Sequence, residues 1–187
     1  MVTFSVYESG ATEPARIYVI PISGDVDPGM AAFLKRALRN IPAEPAPLVV
    51  IEMDTFGGRV DSALDMVDTL LSDPPGKTVA FVSKKAISAG ALIALACNQL
   101  AMKHNTSIGD CAPISFSNEG PKMMGEKFQS PLRAKFRTLA RKNGYPEALS
   151  EAMVTADMEV YAVEIDGERR YFDSVAFSEL DEKVKNS

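Results

Sequence analysis

Short unbroken apolar runs alternate along this chain with stretches whose apolar residues recur every three or four positions. Residues 17–22 (IYVIPI), 48–53 (LVVIEM) and 78–82 (TVAFV) are runs of strand length bounded by polar or turn residues, and they predict buried β-strands. Between them Phe33, Leu34, Ala37, Leu38 and Ile41, and then Val60, Ala63, Leu64, Val67, Leu70 and Leu71, fall on one face of a helix. Asp27 before Pro28 supplies the first helix with a start, because the carboxylate can cap and proline needs no donor in the first turn. The loop 42–47 and the segment 73–76 (DPPG) stop these helices. A short apolar helix begins at Ser88 and runs through Ala96. Residues 100–103 and 106–114 read as further strands, the second with a glycine where backbone must pass closely. Such alternation with short connections predicts a parallel sheet with right-handed crossovers.

After Ser115 the pattern changes. Residues 117–125 (SNEGPKMMG) read as a turn-rich loop, 126–142 as a charged amphipathic helix that closes before Gly144, and 146–153 as a shorter helix. Residues 159–172 alternate around Asp166-Gly167, a strong hairpin signal, and 174–184 finish as a surface helix. No repeat, low-complexity tract or linker interrupts the chain, so 1–187 is read as a single domain. A domain of 187 residues buries on the order of 70% of its unfolded surface and needs no metal or disulfide for stability.

Composition narrows the function. With 46% hydrophobic and 24% charged residues and no tract near 18 apolar residues, the chain reads as globular and not membrane-spanning. The start MVTFSVYESGATEPAR lacks a basic region followed by an apolar core, so no signal peptide is read. The expected location is cytoplasmic or peripheral to a membrane, whether as a whole chain or as a piece of a longer one. A net charge of -5 and a pI near 5.0 argue against nucleic-acid binding. Cys97 and Cys111 are expected to pack, and His104, the sole histidine, to lie exposed in a turn. One imidazole rules out sites that need two, so no metal is expected, and the absence of glycine-rich phosphate motifs leaves no cofactor to expect.

The candidate chemistry centres on residues 84–113. A small-residue turn delivers Ser88 to a helix start, where backbone N–H groups have no intrahelical partners and an oxyanion can be stabilised. A serine nucleophile also needs a base and donors for the developing oxyanion. Gly57 and Gly58, in a turn after a strand, and Ala89, directly after the serine, are candidate donors. A lysine can serve as base if burial favours its neutral form, and Lys84, Lys85, Lys103, Lys122, Lys127 and Lys135 are all available. Spacing alone does not choose among them. An α/β-hydrolase is excluded, because Ala86 stands where the first glycine of G-x-S-x-G belongs and no late histidine follows.

In this order, VVIEMDTFGGRVDSALDM, KKAISAGALIALACNQLAM, NTSIGDCAPI and EKFQSPLRAKFRTLARKNG resemble the ClpP-class serine peptidases associated with NfeD membrane proteins, relatives of signal peptide peptidase A. The resemblance runs over residues 17–153. It implies an α/β fold of the ClpP/crotonase type, with repeated ββα units and a helical and hairpin C-terminal part. It also implies a Ser-Lys dyad formed by Ser88 of the S-A-G turn and Lys127, which opens the helix after a variable loop, with an oxyanion donor from the D-T-F-G-G turn at 54–58. Polypeptide substrates follow from it, hydrophobic segments and stomatin-like membrane proteins among them, as does a homo-oligomer. Phe56 stands where the family usually has proline, and the tail from Asp157 matches poorly.

Substrate is expected to bind extended, between the segment after Gly58 (Arg59, Val60) and the segment Pro113, Ile114 and Ser115, with apolar subsites near Ile114, Phe116, Met123 and Met124. Two other readings share the fold. A crotonase-type acyl-CoA enzyme would use the paired oxyanion donors with a glutamate near the thioester. A non-catalytic assembly subunit would leave Lys127 exposed and distant from Ser88.

Overall fold

A computed structural model describes residues 5–6, 15–72 and 74–180, which fall into two compact units meeting in sequence at Gly109 and Asp110. The first unit is a largely parallel sheet with helices in its connections. Strands β1 (Ser5–Val6), β2 (Ala15–Val26), β3 (Leu48–Gly58), β4 (Lys77–Ile87) and β5 (Gln99–Met102) lie side by side in that order, with β1 antiparallel to β2 and the others parallel. Strand β6 (Ser107–Gly109) pairs with the second half of β4, along Lys85–Ile87, after β5 has paired with Val79–Val82. The C-terminal half of β4, the part that leads to Ser88, is therefore a central strand flanked by β3 and β6.

Helices α1 (Pro28–Arg39), α2 (Val60–Ser72) and α3 (Ala89–Ala96) connect these strands. Asp27 caps α1 as expected, accepting the Met30 N–H at 2.7 Å. Along β3 every second residue from Val49 to Gly57 is buried, so one face of the strand meets the core that α3 crosses. Helix α3 (AGALIALA) is buried on all sides, which its small apolar residues permit and which fixes its N-terminus firmly at the end of β4.

The second unit contains the hairpin β7 (Ile114–Ser117) and β8 (Gly120–Met123), helices α4 (Glu126–Asn143) and α5 (Glu147–Ala152), the hairpin β9 (Val160–Ile165) and β10 (Glu168–Asp173), and α6 (Ser174–Ser178). Gly144 ends α4 in the left-handed conformation at φ 71°. Arg137 and Arg141 of α4 pair with Glu151 and Glu147 of α5, and the Tyr161 ring stacks on Phe177 at 4.2 Å between centroids. Asp166 and Gly167, at φ 54° and 79°, make the expected two-residue turn between β9 and β10.

Three expectations change. Residues 106–114 do not form one strand, because the chain turns at Asp110 (φ 53°) and β6 and β7 are separate. The loop read over 117–125 holds β8, whose Pro121 is tolerated because a two-stranded ribbon leaves one edge without a ladder. Helix α6 ends at Ser178, short of the expected 184, of which residues 181–184 lie outside the described ones.

Candidate active site

Ser88 sits between β4 and α3 with φ 53° and ψ -118°, a conformation that costs a non-glycine residue about 1–3 kcal/mol. The surrounding backbone holds it there. Its N–H donates to Gly109 O of β6 at 2.8 Å, and its carbonyl accepts from the Ala91 N–H at 3.0 Å. The hydroxyl does not cap α3, although serine at a helix start commonly does. A strained strand-to-helix turn of this kind projects a hydroxyl out of the backbone, as a nucleophile requires. The N–H of Ala89, in the first turn of α3, has no intrahelical acceptor and lies at the positive end of the helix.

The turn at 54–58 is built against this serine. A Cβ placed on Gly57 would lie 2.7 Å from Ser88 Cβ and 3.0 Å from Ala89 N, and φ is 101°, so only glycine fits. Gly58, at φ 155°, is pressed against the Val26 backbone, where a Cβ would come within 2.3 Å of its carbonyl oxygen. Thr55 ties the turn together. It is buried, its hydroxyl donates to Gly24 O at 2.5 Å and accepts the Gly57 N–H at 2.9 Å, and its methyl occupies the space a side chain on Gly90 would need. Gly57, expected as an oxyanion donor, therefore has its N–H committed to Thr55. Gly58 and Ala89 are the pair of donor positions that this leaves.

A charged cluster braces the same turn. The register between β3 and β4 slips after Met53, so that Asp54 pairs with Lys85, and this bulge lets the consecutive Lys84 and Lys85 reach one carboxylate. Lys84 Nζ is 2.7 Å from Asp54 Oδ2, and Lys85 Nζ is 3.0 Å from Asp54 Oδ1. Hydrogen bonds from Lys84, and next from Lys85, hold the Asp54 carboxyl below the usual carboxylate range, and Asp54 in turn raises Lys84. A lysine held protonated is unsuited to be a base. Lys85 also lies 4.3 Å from the centroid of the Phe56 ring. Lys122 is likewise committed, to Glu119.

The remaining predicted residues divide between the units. Arg59 donates its backbone N–H to Val26 O at 2.8 Å and its guanidinium to Asp61, whose carboxyl it holds down to about 2 together with the Ser62 N–H. Val60 already belongs to α2. The extended edge expected after Gly58 is thus replaced by a helix start, which cannot add a strand, although both side chains stand exposed. In the second unit Pro113 is buried and accepts from Met124, whereas Ile114 and Ser115 are exposed on β7, a strand that pairs only with β8 among the described residues. Lys127 is the second residue of α4 and is exposed. Pro131 offers no N–H to its carbonyl, so the turn that carries Lys127 has one helical bond fewer. His104 is exposed in a turn, and Cys97 and Cys111 are buried.

The hydrogen bonds of Thr55 and the bracing of Asp54 by Lys84 and Lys85, which the sequence offered only as candidate bases, are the parts of the site that the sequence reading missed. The only available signal was a threonine after Asp54 and two residues before Gly57, a position where a side chain can serve its own turn. The bulge that aligns both lysines leaves no such trace.

Solved structures share this fold. The chain aligns with the serine-to-alanine mutant of the 1510-N membrane-bound stomatin-specific protease at a TM-score of 0.70 and 28% identity, covering 75% of this chain and 70% of that one. The lysine-to-alanine mutant of the same protease, in complex with a substrate peptide, gives the same TM-score and identity and is covered to 66%. ClpP1 from Listeria monocytogenes aligns at a TM-score of 0.55 and 15% identity over 84% of both chains, a likeness of fold alone. Among curated relatives, Membrane protein NfeD1b of Bacillus subtilis is 32% identical over 151 residues, 81% of this chain and 34% of its own length. Membrane-bound protease PH1510 of Pyrococcus horikoshii is 29% identical over 153 residues, 76% of this chain and 33% of its own. The chain thus spans about a third of the length of these relatives. Among the described residues no helix is long and apolar enough to cross a membrane. The family described as NfeD1b, N-terminal domain, matches residues 16–172, and this chain belongs to it.

Proposed function

We propose that this chain is a serine endopeptidase domain that cleaves polypeptides through Ser88 and Lys127. The observation that carries the reading is Ser88 itself, held in a strained strand-to-helix turn with a glycine turn pressed against it. The kinship with a protease whose serine and lysine mutants have been solved supports it. Lys127 is the assignment that follows from the resemblance of residues 126–144.

In the proposed cycle, uncharged Lys127 Nζ takes the Ser88 Oγ proton as the oxygen attacks a peptide carbonyl. The N–H groups of Gly58 and Ala89 donate to the oxyanion. When the tetrahedral species collapses, Lys127 returns its proton to the leaving amine and an acyl-serine remains. Water, losing a proton to Lys127, then attacks the acyl carbon, and Ser88 recovers a proton as the carboxylic product leaves. An amine acts as a base only when shielded from water, so bound substrate or a second copy of the chain has to cover the exposed Lys127.

The substrate class we propose is hydrophobic polypeptide segments, with stomatin-like membrane proteins as candidates, since the related 1510-N protease is stomatin-specific. An extended substrate would pair its main chain with the open edge of β7 at Ile114 and Ser115, where exposed Ile114 and its cross-strand partner Met123 offer apolar subsites. Action at a membrane surface and assembly into a homo-oligomer belong to the same reading. A fluorophosphonate probe should label Ser88, and Ser88→Ala and Lys127→Ala should each abolish peptide hydrolysis in folded protein. Retained hydrolysis in Lys127→Ala would assign the base to another lysine, and binding of an acyl-CoA without labelling would replace the peptidase reading.

A further inference from the structure

We propose that Thr55 is a positioning residue for the oxyanion: its hydroxyl closes a bulge in β3, holds the Gly57 N–H toward β2 and so makes Gly58 the residue that presents an N–H beside Ser88. This rests on the peptidase reading above and adds to it a residue that neither binds substrate nor takes a proton. Between the pairs Ser23–Asp54 and Asp25–Gly57, two residues of β3, Thr55 and Phe56, stand opposite Gly24 alone. Such a bulge interrupts the ladder and re-aims the residues that follow it. Thr55 Oγ1 bridges the gap, donating to Gly24 O at 2.5 Å and accepting the Gly57 N–H at 2.9 Å. At 1% exposure the side chain shields both bonds from solvent.

The bridge decides which way each peptide faces. Gly57 directs its N–H to the β2 side through Thr55, and Arg59 directs its own there too, to Val26 O at 2.8 Å. Gly58, between them, therefore directs its N–H to the opposite edge, toward β4. The pairing of β3 with β4 ends at Thr55 and Ala86, so no ladder takes that N–H, and the chain beside it is the turn that carries Ser88. Gly57 itself lies against Ser88 and Ala89, and the peptide joining it to Gly58 carries the N–H in question. Two successive glycines resist rotation poorly, so the direction of that peptide has to be fixed by bonds. Proline, usual at position 56 in the resembling family, would fix φ there; Phe56 does not, which leaves the hydroxyl bridge as the restraint on this side of the turn.

The test measures kcat and KM on a fluorogenic apolar peptide, and inhibition by the aldehyde of the same sequence, whose hemiacetal oxygen takes the place of the oxyanion. Thr55→Val is expected to lower kcat about 10–100-fold with KM changed less than about twofold, and to weaken the aldehyde by the same factor. Thr55→Ser, which keeps the hydroxyl, is expected to stay within about threefold of the wild type in both. Thermal melting checks folding. An unchanged kcat in Thr55→Val, or a fall in kcat without weaker aldehyde inhibition, overturns the proposal, the second because a smaller folded fraction alone would produce it. Thr55→Ser as impaired as Thr55→Val also overturns it, by assigning the effect to the methyl group. If Thr55→Val does not fold, a crystal structure of the wild-type aldehyde adduct decides: the oxygen is expected to accept from Gly58 and Ala89, and an oxygen bonded to the Gly57 N–H overturns the proposal. Absence of fluorophosphonate labelling in the wild type overturns the peptidase reading and this proposal with it, whereas labelling with an unchanged kcat in Thr55→Val overturns the proposal alone.

Discussion

Gly57 lies so close to Ser88 that a Cβ on the glycine would come within 2.7 Å of the serine's own Cβ. The turn after β3 and the serine after β4 are thereby shaped as one object, although 31 residues separate them (88 - 57). Gly57→Ala adds that Cβ at a φ of 101°. We expect it to destabilise the protein by about 1–3 kcal/mol and to suppress fluorophosphonate labelling. Urea denaturation and labelling kinetics check both, and an unchanged labelling rate would show that the turn does not define the position of Ser88.

Thr55→Val keeps the shape of the side chain and removes its hydroxyl. The buried Gly57 N–H and the Gly24 carbonyl then lose a partner, which should cost about 1–3 kcal/mol in urea denaturation. Thr55→Ser retains both hydrogen bonds and loses the methyl that rests on Gly90, so it should be the less damaging change to labelling.

The charged brace predicts a pH dependence. Asp54 is held below its ordinary range by Lys84 and then Lys85, so its contribution to stability is present in full above the unfolded value of about 3.9 and is lost as pH falls through the lower folded value. Lys84 is raised, so its contribution is present below about 10.4 and lost as pH rises beyond it through the folded value. The difference in Tm between wild type and Asp54→Asn should therefore be flat from about pH 5 to 9 and shrink on either side. A difference that grows on acidification would refute the assignment.

In the second unit Phe136 is the largest fully buried side chain of α4. Phe136→Ala should cost about 3–5 kcal/mol in chemical denaturation, with the spread set by how far the neighbouring side chains collapse into the space. A cost below about 1 kcal/mol would mean that α4 is not anchored by this ring.

Local signals in the sequence located most of the elements. The apolar runs of β2, β3 and β4, the Asp27-Pro28 start of α1 and the Asp166-Gly167 turn all act over a few residues, and the observed elements lie where those signals stand. The strand read over 106–114 failed because apolar content does not reveal a left-handed residue such as Asp110. The short hairpin of β7 and β8 was hidden by its own turn residues and by Pro121, which read equally well as loop.

By itself, the sequence determined the alternation of strand and helix, the buried apolar α3, and Ser88 with a small-residue turn at its start, because propensity, capping and periodicity are carried by neighbouring residues. The tertiary structure alone decided that Thr55 donates to Gly24 O, that a bulge turns two consecutive lysines toward Asp54, and that Lys85 comes to rest on Phe56. Those relations join residues about 30 positions apart through strand register, and register is set by how whole strands bury their faces against each other. No stretch of chain carries that information before the sheet has formed.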